Sequence, residues 1–195
     1  GLNAAIAIRN GESARSVAQW LQFHVDHHGL QGALIVDRAG PDVDHEFAAA
    51  LKNENITGLK RLVVLSSNVA LGNPTLGPET HAFNAPDAPG KGRMTPPDPA
   101  PWTAPFGENI IFELLRHSYM DDARAVMNIE TFDLLCVAKG PNVFDRAVNA
   151  KGGVITLIGD RIYPWSIRKG ATPVFGDHVC RRFDGGTGNP RWCIA

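Results

Sequence analysis

The chain has few cysteines, little excess charge and no long apolar run, and each shortage excludes something. Three cysteines in 195 residues, Cys136, Cys180 and Cys193, are an odd number without paired spacing. That argues against a disulfide framework and for free thiols in a reducing, cytoplasmic compartment. Cys136 lies in an apolar stretch and reads as a small core residue of a strand. The 19 basic and 20 acidic residues leave a formal net charge of −1. No broad electrostatic pull toward nucleic acid or an anionic membrane follows from that balance. No apolar run approaches the roughly 18 to 20 residues of a membrane span. The opening residues do not read as a secretory signal. No G-x-G-x-x-G follows the first apolar stretch, so a dinucleotide-type phosphate loop finds no support. There is no internal repeat, and 195 residues suit one domain with a sizeable core.

The regular structure that is present alternates. Ala4 to Ile8 reads as a short buried strand. Asn10 reads as a helix cap, and Val17, Trp20, Leu21 and Val25 then recur at helical spacing. Gly29 stops that helix. Ala33 to Val36 reads as a second strand ending at Asp37, Phe47 to Leu51 as helix, and Leu62 to Leu65 as a third strand. Strand, helix, strand, helix, strand is the pattern of a parallel sheet with crossover helices. The fold class expected is therefore α/β, a mostly parallel sheet with helices on both faces.

Residues 68–105 then interrupt the pattern with nine of the fourteen prolines. Regular structure is not expected there. A loop of this length is either a surface excursion or a functional lid. Beyond it, Ile111, Leu114, Leu115 and Ser118 mark one helical face between Asn109 and Tyr119. Ala125 to Met127 reads as a strand, Val143 to Asn149 as a helix capped by Asn142, and Val154 to Ile158 as a strand. The tail from Tyr163 to Ala195 reads as irregular.

Candidate chemistry collects at strand ends, where ligands bind in open α/β sheets. Asn10 and Glu12 follow the first strand, at a helix start whose free N–H groups favour an anion. Asp37 ends the second strand, placed to accept hydrogen bonds from a base or ribose; the plainer reading is a turn-initiating aspartate. Glu130 and Asp133 follow the acidic strand three residues apart, so both carboxylates can face one hard cation such as Mg²⁺ or Mn²⁺. Asp177 and His178 offer a further ligand or base. Arg181, Arg182 and Arg191 make the tail locally basic, and guanidinium forks suit phosphate oxygens. His24, His27 and His28 share a helix face and read as partly exposed side chains rather than a metal set.

These pieces stand in an order that resembles bacterial family-two-like glycosyltransferases. IAIRNGESARSVAQWLQFHVDHHGLQGALIVDR is similar to the family's opening, in which a strand ends in Arg-Asn-Glu, a helix carries Trp-x-x-x-His and the next strand ends in an acidic turn. The matching positions are Arg9, Asn10, Glu12 (displaced by Gly11), Trp20, His24 and Asp37. LLRHSYMDDARAVMNIETFDLL resembles the segment through the family's metal-binding Asp-x-Asp, and GDHVCRRFDGGTGNPRWCIA its close. The resemblance implies a type A nucleotide-diphospho-sugar transferase fold over residues 1–195. It further implies a nucleotide-sugar donor bound by Arg9, Asn10, Glu12 and Asp37, with a glycan, lipid-linked or small acceptor. Mn²⁺ or Mg²⁺ is implied at Glu130 and Asp133, with Asp133 and His178 in catalytic roles. Glu130 and Phe132 stand where two aspartates would, which predicts a metal site shifted to Glu130 and Asp133, weakened or lost. The alternative is a degenerate member that binds without turnover.

Overall fold

The computed structural model describes residues 1–9, 11–37, 46–66, 107–160, 162–165, 167, 169–171, 173–181 and 190–195. Asn10, Arg182 and the proline-rich segment 68–105 lie outside them.

The described residues up to Ser66 fold as the alternation predicts. Strand β1 (Asn3–Arg9), helix α1 (Ala14–His28), β2 (Gly32–Asp37), α2 (Glu46–Asn53) and β3 (Arg61–Ser66) follow in order. β1 pairs parallel with β2, and β2 with β3. Every residue of β2 is buried, which is why its sequence is a continuous small-apolar run rather than an alternating one. Helix α3 (Gly107–Tyr119) then leads into β4 (Ala125–Asn128), which pairs parallel with β1 on its other side. Helix α4 (Val143–Asn149), β5 (Val154–Leu157) and β8 (Arg191–Ile194) complete a sheet of order β3-β2-β1-β4-β8-β5. β8 runs antiparallel to both neighbours. A separate antiparallel pair joins β6 (Ile162–Pro164) to β7 (His178–Arg181).

The sheet is covered on both faces. One core packs Ala5, Ala7, Ala33 and Ile35 under α1, α2 and α4, through Trp20, Leu21, Leu51 and Phe144. The other packs Ile6, Ile8, Leu34 and Val36 under α3, through Ile111, Phe112 and Leu115. Among the described residues no helix is long and apolar enough to cross a membrane.

Several local expectations are corrected. The cap of α1 is Ser13, whose hydroxyl accepts the Ser16 N–H at 3.1 Å. The buried face of α3 is Ile111, Phe112 and Leu115, while Leu114 is 52% exposed. Cys136 is exposed and lies outside any strand. The described residues of the tail are not all irregular: they include β6, β7 and the interior strand β8, whose Cys193 is fully buried. Burial pushes the Cys193 thiol up to about 12, so it stays a neutral core residue. His24 and His28 are buried rather than partly exposed.

Helix α1 ends where Gly29 turns left-handed at φ 68°, its N–H reaching the His24 and Val25 carbonyls. A Cβ there would meet Asn142 Nδ2 at 3.5 Å, an ordinary contact. The cost of Gly29→Ala is therefore conformational, and a loss of about 1 kcal/mol is expected in urea unfolding.

Candidate functional site

The sheet order creates a crevice. The chain leaves β1 for β2 by way of α1 on one face, and returns from β3 to β4 by way of α3 on the other. The order therefore reverses between β1 and β4. In open α/β sheets that reversal leaves a gap beyond the carboxyl ends of the two strands, where ligands bind. Arg9, Asp37, Glu130 and Asp133, all singled out from the sequence, stand at this edge.

Arg9 ends β1 in register with Asp37, which ends β2. Parallel pairing thus aligns the two side chains, and Arg9 Nη1 lies 2.7 Å from Asp37 Oδ1. Arg9 Nε donates to the Glu12 carbonyl at 2.6 Å. The guanidinium carbon sits 4.0 Å from the centre of the Phe47 ring. The cation is thus held by a carboxylate, a carbonyl and an aromatic face. Such contacts fix its plane as well as its position. Asp37 is buried, and the Arg9 pairing compensates its charge.

Beyond β4 the chain makes a tight acidic turn. The Ile129 N–H donates to the Ile6 carbonyl at 3.2 Å, continuing the β1 pairing past the strand. Glu130 follows, 4% exposed. The Asp133 N–H donates to the Glu130 carbonyl at 3.0 Å, and the Glu130 N–H to Asp133 Oδ2 at 3.3 Å. Arg191, from β8, closes the arrangement. Its Nε donates to Asp133 Oδ2 at 2.9 Å, and its Nη2 lies 3.4 Å from Glu130 Oε1.

Two side chains of α1 hold the backbone of this turn. Trp20 Nε1 donates to the Asp133 carbonyl at 2.8 Å, and His28 Nε2 donates to the Leu135 carbonyl at 3.2 Å. Asn128, at the end of β4, accepts the Trp192 N–H on its side-chain oxygen at 2.7 Å, which locks β8 beside the turn. The roles of Trp20, His28 and Asn128 were not read from the sequence. The spacing of Trp20, His24 and His28 at i, i+4 and i+8 was the available signal, since it extends the apolar stripe.

The structure thus brings together Arg9 with Asp37, and Glu130 with Asp133, along one sheet edge. Glu12 joins the first pair through its backbone carbonyl. His178 lies instead on the separate two-stranded sheet, exposed, with Nδ1 donating to the Val174 carbonyl at 3.0 Å. Asp177 accepts the Val174 N–H at 3.0 Å and closes the same turn. Arg181 ends β7. His27 is exposed on α1, apart in burial from its two neighbours.

The residues fit a resident divalent ion poorly. Such an ion wants about six oxygens, whereas the Glu130 and Asp133 carboxylates already share a guanidinium. Among the described residues no group of three or more His, Cys, Asp or Glu side chains is arranged to hold a metal. No family model matches the chain, and no curated protein or solved structure matches it significantly.

Proposed function

We propose that the protein binds a nucleotide-sugar in the crevice between β1 and β4 and acts as a glycosyltransferase of the type A nucleotide-sugar fold. The observation that carries the reading is the reversal of strand order at β1 and β4, with Arg9, Asp37, Glu130 and Asp133 at the carboxyl edge beside it. Carboxylates at such an edge take base or ribose donors, and arginines take phosphate oxygens. The ordered resemblance of the sequence to family-two-like transferases points the same way.

In this reading Asp37, steadied by Arg9, accepts hydrogen bonds from the nucleoside. Glu12, between β1 and α1, borders the donor; Asn10, which the resemblance also implies, lies outside the described residues. In the transfer the bond from the anomeric carbon to the diphosphate oxygen breaks, and its electron pair leaves with the nucleoside diphosphate. The acceptor oxygen bonds to the sugar, and its proton passes to a base. Asp133 is the carboxylate offered for that base; His178 is the alternative. The acceptor is a glycan, a lipid-linked glycan or a small hydroxyl compound. Free thiols at Cys136, Cys180 and Cys193 suit a reducing, cytoplasmic setting.

A second reading, donor binding without turnover, is favoured by one observation: both acids of the turn are engaged by Arg191. Calorimetry against a panel of nucleoside diphosphates tests binding, and release of free sugar from nucleotide-sugars tests turnover. Binding with turnover supports the transferase, and binding alone supports the second reading. No binding to any member of the panel overturns both. Asp37→Ala should weaken nucleoside diphosphate binding by about 1–3 kcal/mol, because it removes a buried charged acceptor and releases Arg9. Unchanged affinity in a folded Asp37→Ala protein would count against the pocket.

A further inference from the structure

We infer that Arg191 is itself the resident cation of the Glu130 and Asp133 pair, so the site takes up no divalent metal ion. One part of the inference, that nucleoside diphosphate binding is independent of Mn²⁺ and Mg²⁺, rests on the function proposed above. The rest stands on geometry alone.

The guanidinium reaches both acids, with Nε 2.9 Å from Asp133 Oδ2 and Nη2 3.4 Å from Glu130 Oε1. Its side chain is 17% exposed, Glu130 is 5% exposed and Asp133 34%. A metal ion such as Mg²⁺ draws its oxygens to about 2.0–2.1 Å. Meeting both carboxylates therefore means entering the space that the guanidinium fills, against its positive charge. Arginine does not lose that charge at any ordinary pH. A fork with several N–H donors also bridges two carboxylates in a way that a point charge does not.

The arrangement is built rather than incidental. Arg191 begins β8, whose backbone is paired on both sides: Trp192 opposite Asn128 of β4, and Arg191 opposite Leu157 of β5. The acidic turn is held from the other direction. Trp20 and His28 anchor its carbonyls, and the Glu130 N–H fixes Asp133 Oδ2. Cation and acids are therefore positioned by separate elements. The side chain of Phe132, within the turn, supplies no ligand oxygen.

Arg191→Gln removes the guanidinium that the two carboxylates share, and a metal ion is then expected to take its place between them. Binding of Mn²⁺ alone, measured by calorimetry or by the free-ion electron paramagnetic resonance signal in chelator-treated protein, provides the test. The unmodified protein is expected to bind Mn²⁺ no better than Glu130→Gln does. Arg191→Gln is expected to bind it on the order of tenfold tighter or more, and Arg191→Lys, which keeps the charge but not the fork, to gain less than Arg191→Gln. A gain that vanishes in Arg191→Gln combined with Asp133→Asn places the ion at the pair. The inference is overturned if a folded Arg191→Gln gains nothing. It is equally overturned if the unmodified protein binds Mn²⁺ and loses it on Glu130→Gln, a comparison that decides the matter even where Arg191→Gln does not fold. None of these arms uses a nucleotide, so they stand whether or not the donor reading holds. Should a nucleoside diphosphate bind, its affinity is expected to be the same with Mn²⁺ and with chelator; a strong Mn²⁺ requirement overturns the nucleotide part.

Discussion

Trp20→Ala is expected to destabilise the protein by about 3–5 kcal/mol and to loosen the acidic turn at the same time. The indole is fully buried in the core that fills the α1 face of the sheet. Removing it leaves a cavity in a core whose strand side chains include the short Ala5 and Ala7. It also removes the 2.8 Å hydrogen bond from Nε1 to the Asp133 carbonyl. The two losses are partly separated in Trp20→Phe, which deletes the donor and keeps one of the two fused rings. A loss of about 1–3 kcal/mol is expected for that variant, because a carbonyl loses its partner. Chemical unfolding gives both values. Amide hydrogen exchange over residues 130–135 gives the second effect, since a turn that loses its anchor opens more often. If Trp20→Phe unfolds at the same urea concentration as the unmodified protein and exchange in the turn is unchanged, the anchor carries no energy.

The sequence made one half of this arrangement legible and hid the other. β1 and β2 are continuous buried runs because a parallel sheet covered on both faces demands them, and that signature survives in six or seven residues. Asp37 and Glu130 were visible as acids at strand ends. Their partners were a different matter. Arg9 meets Asp37 only because the strands pair in one register, 28 residues apart in the chain. Arg191 meets Asp133 across 58 residues, and Trp20 meets the same residue across 113. No local pattern encodes such pairings. β8 is the clearest case: four residues, Arg191 to Ile194, are too few to show a period of two. What makes them a strand is the pair of neighbours that they join.

The cap at Ser13 and the exposure of Cys136 were missed for related reasons. Asn10 and Ser13 are both good caps, and the choice depends on where the chain leaves β1. Cys136 sits among apolar residues, but Leu134 and Val137 beside it are 44% and 61% exposed. The backbone from Asp133 onward is tied to α1 at two carbonyls, and of its side chains Leu135 packs against the core. Hydrophobicity alone therefore gave the wrong side of the surface.

Acidification from pH 7 to pH 4 is expected to cost the protein about 3 kcal/mol through His24 alone. The ring is fully buried, and burial lowers its pKa from 6.5 to about 4. Nδ1 lies 2.8 Å from the Trp20 carbonyl, which only accepts, so Nδ1 carries the hydrogen. Nε2 is buried and has no hydrogen-bond partner among the described residues. A second proton must go there, with no acceptor to receive it. His28 and His27 nearby disfavour the charge further. Above pH 6.5 the ring is neutral in both the folded and the unfolded chain, and stability does not change. Between 6.5 and 4 the unfolded chain takes up a proton that the folded protein refuses, so stability falls by about 1.4 kcal/mol per pH unit. Below 4 both states are charged and the loss is complete. His28 adds to the fall in the same sense, because burial lowers its pKa also. Urea unfolding at a series of pH values, in the unmodified protein and in His24→Leu, isolates the effect. The leucine variant should lose the steep segment between pH 6.5 and 4 that belongs to His24 and keep the shallower contribution of His28. Parallel curves for the two proteins would show that the buried imidazole is not what titrates.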